Sequence, residues 1–168
     1  MSHLTEEQNN NFMLGYKVLQ HSQTQQDLTS TTVWTDLLGS EMSYAPSEGA
    51  DFVIYEYVFH RSKKNSNTVN IKCKLLYSDD DGSTWNDYGN NTNTMFGSTL
   101  TNVRARSLTT LRLCLTSWGT SERKLKVQGL VHNGDIRLHK VWQFYDSSGA
   151  TTSDRYVKPY VLCYSVRN

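Results

Sequence analysis

The sequence predicts an all-β chain, an antiparallel β-sandwich of jelly-roll type with about eight to ten strands. Three observations carry that expectation. From residue 50 onward apolar and polar residues alternate at period 2 over most of the chain, and no window beyond the first dozen residues shows a helical stripe. Turn-forming clusters of Asn, Asp, Gly and Ser recur between the alternating runs. The composition agrees, because apolar residues make up 37%, below the roughly 45–50% of ordinary domains, while Ser, Thr and Asn fill 49 of the 168 positions. Such material lines outward strand faces and turns and leaves a thin core.

The length suits one domain. Residues 1–11 are polar and read as a flexible N-terminal segment ahead of a single sandwich domain over 12–168. That segment has neither a basic stretch nor an apolar one, so no secretory signal is predicted and the chain is expected to be made and folded in a cytosol. Met13 to Gln20 and Thr32 to Leu38 are the first strands, divided by the polar loop His21 to Ser30. Phe52 to Phe59 is β-branched and aromatic on both parities, which predicts a central strand covered on two sides. Ile71, Cys73, Leu75 and Tyr77 alternate with Lys72 and Lys74, giving a half-buried strand expected to pair with its predecessor across the loop Ser62 to Asn67. Leu111, Leu113 and Leu115 mark the next strand, and Leu125 and Val127 the one after. Asn133-Gly134 predicts a type I′ hairpin joining Val127–His132 to Asp135–Tyr145. The last strand runs from Tyr156 to Val166, with Pro159 marking an edge or a bulge.

The most specific local pattern is Ser78-Asp79-Asp80-Asp81-Gly82-Ser83-Thr84-Trp85, a complete match to the S-x-D-x-G-x-T-W pattern. It resembles the Asp-box of sialidases, which recurs away from the catalytic centre on several propeller blades. Here it occurs once, in a chain too short for such a propeller. Its expected role is structural: Ser78 and Asp80 bond turn amides, Gly82 takes positive φ, Thr84 belongs to the turn, and Trp85 forms an apolar base. A calcium site on Asp79, Asp80 and Asp81 is the minor alternative. No enzyme activity is expected, and no catalytic, cofactor or metal site is assigned. The five histidines lack metal-ligand spacing, no nucleophile accompanies His132 and Asp135, and no second acid matches Glu56, which interrupts an apolar strand and calls for a nearby Lys or Arg or a place at the mouth of the sandwich. Cys73, Cys114 and Cys163 lie inside apolar segments and read as reduced core residues.

Net charge is +1, so a dedicated nucleic-acid binder is disfavoured, and no apolar run is long enough to span a membrane. Local basic groups, Arg61 to Lys74 and Arg104 to Lys126, read as solvated strand faces. The aromatics Trp34, Tyr44, Trp118, Trp142, Tyr145 and Tyr160 exceed what a thin core requires. They are candidates either for a subunit interface or for stacking on sugar rings.

The low-charge Ser/Thr/Asn surface and the strand Gly49-Ala50-Asp51-Phe52-Val53-Ile54-Tyr55-Glu56-Tyr57-Val58-Phe59 resemble small jelly-roll virion structural proteins of phages and large algal viruses. The resemblance is one of pattern over residues 12 to 168. It implies a non-enzymatic virion component, namely a capsid decoration, minor capsid or tail-fibre head protein. It further implies a homotrimer that contacts other virion proteins and contributes to host attachment through a surface glycan. The alternative from a different class is a carbohydrate-binding module or lectin.

Overall fold

The computed structural model describes residues 13–21, 25–29, 31–63, 69–89, 94–98, 106–133, 135–141, 155–156 and 158–167. Fourteen strand segments and no helix occur among them, and hence no helix long and apolar enough to cross a membrane. They are β1 (Met13–Gln20), β2 (Gln26–Leu28), β3 (Thr35–Asp36), β4 (Met42–Tyr44), β5 (Phe52–Lys63), β6 (Val69–Ser78), β7 (Asn86–Asp87), β8 (Thr94–Ser98), β9 (Arg106–Thr116), β10 (Arg123–Asn133), β11 (Ile136–Leu138), β12 (Lys140–Val141), β13 (Arg155–Tyr156) and β14 (Tyr160–Val166).

Twelve of these segments build two antiparallel sheets, and several share one strand position. In sheet A, β14 and β11 succeed one another along one edge of β5, β1 and β2 line their far side, and β9 pairs with the other edge of β5. In sheet B, β3 and β4 share one edge of β10, β6 holds the other, and β7 and β8 share the far edge of β6. Each sheet thus has four strand positions. Numbered along the chain, their orders are 1-8-3-6 and 2-7-4-5, which is the jelly roll. A separate ribbon, β12 with β13, interrupts the eighth position.

The alternation explains the core. Val53, Tyr55, Tyr57 and Phe59 of β5 point inward with no exposed surface, and Tyr57 stacks on Phe59 with ring centroids 4.8 Å apart. Leu111, Leu113 and Leu115 of β9 flank them on one side, Val161 and Cys163 of β14 on the other. Ile71, Cys73 and Leu75 of β6 and Leu125, Val127 and Val131 of β10 oppose them from sheet B. Each such side chain contributes about 1.5–3 kcal/mol by leaving water. The buried tyrosines keep their hydroxyls satisfied: Tyr55 donates to the Ser40 carbonyl at 2.5 Å and Tyr57 to the Leu38 carbonyl at 2.8 Å.

Several local expectations are corrected. The strand at 71–77 does not pair with Phe52–Phe59, because β5 lies in sheet A and β6 in sheet B. Asn133-Gly134 marks no hairpin either. β10 lies in sheet B, whereas β11 lies in sheet A, where it pairs with β5 and β2 and buries Ile136 and Leu138. In both places the next segment joins the opposite sheet, so strands adjacent in the chain face each other across the core instead of pairing. The last strand is broken in two, with Pro159 buried just before β14. Cys73 and Cys163 are core residues whose thiols burial pushes up to about 12, but Cys114 is exposed on the outer side of β9. The outer side of β5 is half-buried at Phe52, Ile54 and Glu56 and closed over only at Val58, His60 and Ser62.

Candidate functional site

Among the described strands of the two sheets, β6 and its edge partners are the only chain-adjacent positions that share a sheet. The Asp-box hairpin makes that connection. Ser78 Oγ accepts the Gly82 amide at 2.8 Å and lies 2.7 Å from Asp80 Oδ1. Asp80 in turn accepts the Thr84 amide at 2.8 Å and the Thr84 hydroxyl at 2.5 Å. Those bonds, from Thr84 first and then Ser78, hold the Asp80 carboxyl down at about 2. Asp81 and Gly82 both adopt left-handed backbones, with φ 59° and 90°. Trp85 is half-buried and is covered by the Lys126 ammonium, 4.0 Å from its ring centroid. The three neighbouring carboxylates diverge to three partners: Asp79 to Arg123 at 2.5 Å, Asp80 into the turn, and Asp81 to Lys124 at 2.8 Å. One oxygen each of Asp79 and Asp81 and both oxygens of Asp80 are thereby engaged in protein contacts.

The outward sides of the two sheets differ in kind. On sheet B the charges close on each other. Lys126 bonds Asp36 at 2.7 Å, Gln128 bonds the same carboxylate at 2.7 Å, Lys74 meets Asp87 at 3.3 Å, and Lys74 also lies 5.0 Å from the centre of the Trp34 ring. On sheet A the cross-strand register aligns rows of side chains. One row reads Tyr16, Tyr164, Ile54, Cys114; the next reads Val18, Leu162, Glu56, Arg112; a third reads Gln20, Tyr160, Val58, Thr110. Tyr16 is 68% exposed, Val18 51% and Tyr160 36%. The cation that Glu56 calls for is Arg112, 3.9 Å away, and it is the sole charge pair in these rows.

The sequence-selected aromatics scatter. Tyr44 is a core residue, 5% exposed, with its hydroxyl on Ser165 at 2.8 Å and the Gly15 carbonyl at 3.0 Å, so it is neither an interface nor a glycan aromatic. Trp118 donates to the Ser121 carbonyl at 2.9 Å and stacks under Arg123, which also covers Tyr77. Trp34 lies at the sheet B face and Tyr160 at the sheet A face, so the structure does not bring the four into one patch. Trp142 and Tyr145 lie outside the described residues. Sequence reasoning missed Tyr16, Leu162 and Tyr164. The signal was present, since positions 160, 162, 164 and 166 are all apolar or aromatic, but so are 161 and 163.

No family model matches the chain, and no curated protein matches it. Among solved structures, the VP2 subviral particle of infectious bursal disease virus overlays 92% of this chain and 39% of its own at 9% identity, with TM-score 0.41. The stem and receptor-binding domain of the spike protein P1 from bacteriophage PM2 overlays 81% of this chain and 66% of its own at 9% identity and TM-score 0.31. The N-terminal cellulose-binding domain of a Cellulomonas fimi β-1,4-glucanase C overlays 91% and 86% at 9% identity and TM-score 0.28. This chain spans about two fifths of the VP2 chain. The likeness is one of sandwich build and no more, and the chain's own faces carry the functional reading.

Proposed function

We propose that this chain is a non-enzymatic structural subunit of a virion, a jelly-roll block that associates with copies of itself and with other virion proteins. One observation carries the reading: the outer side of sheet A is a set of largely apolar rows, with exposed Tyr16, Val18 and Tyr160 around a single ion pair. Monomeric proteins rarely expose contiguous apolar patches of more than a few hundred Å². Four strands about 4.8 Å apart that share the seven-residue length of β14 span roughly 450 Å², so two such faces in contact bury about 900 Å², at the low end of specific interfaces. The jelly-roll order and the low-charge Ser/Thr/Asn surface support a place in a shell or fibre head. Homo-oligomerisation also relieves the thin core, because Tyr and Val that one copy leaves wet are covered between copies.

The test is native mass spectrometry at about 10 µM. The expected result is a closed homo-oligomer that needs no ligand, and its mass separates a trimer from other numbers. Tyr16→Lys with Val18→Lys is expected to return it to monomer without loss of the fold by circular dichroism. A wild-type monomer at that concentration refutes the self-associating subunit.

A further inference from the structure

One corner of the sandwich gathers three histidines that the sheet A face does not use. His139, between β11 and β12, has no exposed surface and a left-handed backbone with φ 64°. Its backbone N–H donates to the His60 carbonyl at 2.8 Å. Its Nε2 lies 3.1 Å from the Leu38 carbonyl oxygen, which can only accept, so Nε2 carries the proton. Nδ1 is then a bare lone pair, buried and without a hydrogen-bond partner among the described residues. Leu38 sits in the turn between β3 and β4 of sheet B, and its carbonyl also accepts the Tyr57 hydroxyl from sheet A. His21 closes the corner from the β1–β2 link: its N–H donates to the Pro159 carbonyl at 3.2 Å. A Cβ on Gly39, where φ is 77°, would lie 2.5 Å from Pro159 Cγ and 3.1 Å from His21 Cβ, so the turn is seated tightly.

We propose that this corner is an acid-operated latch: neutral His139 ties the 37–40 turn of sheet B to sheet A, and protonation of His139 releases the turn. A proton on Nδ1 creates a second donor and a full charge where no described group accepts either. The titratable groups that act on His139 are His60 from β5 and His21 from the β1–β2 link, and both lower its affinity for a proton. Tyr57 meets it through the shared carbonyl and stays neutral, because burial pushes its hydroxyl well above 10. The turn offers the Leu38 carbonyl dipole, and Pro159 brings no charge. Burial first, and the two imidazoles after it, hold His139 down at about 4 against the Leu38 bond that raises it. A solvent-exposed histidine takes its proton near 6.5. Between these two values the open turn binds a proton that the closed turn refuses, so acid favours opening, and the latch is fully closed above about pH 6.5.

The test is hydrogen–deuterium exchange of the full chain from pH 7 to pH 4, corrected for intrinsic exchange rates. The Leu37 and Ser40 amides, bonded to the carbonyls of Val127 and Leu37, are expected to lose about tenfold or more of their protection between pH 6 and 4.5, while the β5 amides keep theirs. In His139→Asn the side chain tolerates a left-handed backbone, donates from its amide and does not titrate, so protection of the turn is expected to stay level across that range. Equal acid loss in wild type and His139→Asn overturns the latch. Should the variant not fold, the imidazole resonances of the wild-type chain decide: a His139 midpoint well below 6 supports the latch, and one near 6.5 overturns it.

Discussion

Glu56 of β5 and Arg112 of β9 stand opposite each other in register, 3.9 Å apart, and Arg112 also donates to the Tyr164 hydroxyl of β14. Three strands of sheet A are thereby cross-linked at the middle of a surface that is otherwise largely apolar. Glu56 has only 19% of its side chain exposed, whereas Arg112 has 61%. The acid has therefore given up most of its water, and the partner that compensates it reaches in from solvent.

Arg112→Ala is expected to cost about 1 kcal/mol or less in urea unfolding of the chain. An ion pair with so exposed a partner is worth little, and the rest of the loss is the Tyr164 bond. Glu56→Leu is expected to be neutral or slightly stabilising, since it removes the desolvated charge and extends the apolar row. A loss above about 3 kcal/mol for Arg112→Ala would show instead that Glu56 behaves as a fully buried charge.

Gly129→Ala tests how tightly the inner side of sheet B is packed. Gly129 sits in β10, opposite Cys73 of β6, and a Cβ there would lie 2.6 Å from Leu37 Cδ2 and 2.9 Å from Ile71 Cδ1. Both are side-chain methyls in the core, so the methyl is accommodated only by shifting packed neighbours. The expected cost is about 1–3 kcal/mol by equilibrium denaturation, with the far-ultraviolet spectrum unchanged.

The Asp-box has a pH signature of definite sign. The folded Asp80 carboxyl lies at about 2, below the ordinary 3.8, so its contribution is present above about pH 4 and is lost as the pH falls toward 2. Asp80→Asn is expected to lower the melting temperature at pH 7 and to flatten its fall between pH 4 and 2. The measurement is a calorimetric melting series for both chains, and parallel curves would contradict the role given to the carboxylate.

Residues 13–20 were legible as a strand, because the predicted first strand and β1 share both bounds. Short pieces such as β4, only three residues long, carry too little pattern to be seen, and Met42 and Tyr44 are core residues that only their burial reveals. Within the candidate face, β14 shows why orientation was not legible. Its inward residues, Val161, Cys163 and Ser165, are smaller than its outward ones, Tyr160, Leu162 and Tyr164. Size alone favours the opposite orientation. The structure turns the small side inward because Tyr55 and Tyr57 of the neighbouring strand already fill the space between the sheets.

By itself the sequence determined the all-β class, the alternating strands and the Asp-box turn, because side-chain periodicity and turn chemistry act over a few residues. Only the tertiary structure decided which sheet each strand joins, that Tyr16 and Tyr164 meet on one outer face, and that His21, His60 and His139 share one corner. Strand partners in a jelly roll come from crossovers between distant segments, and alternation specifies a strand's two faces without specifying its neighbours.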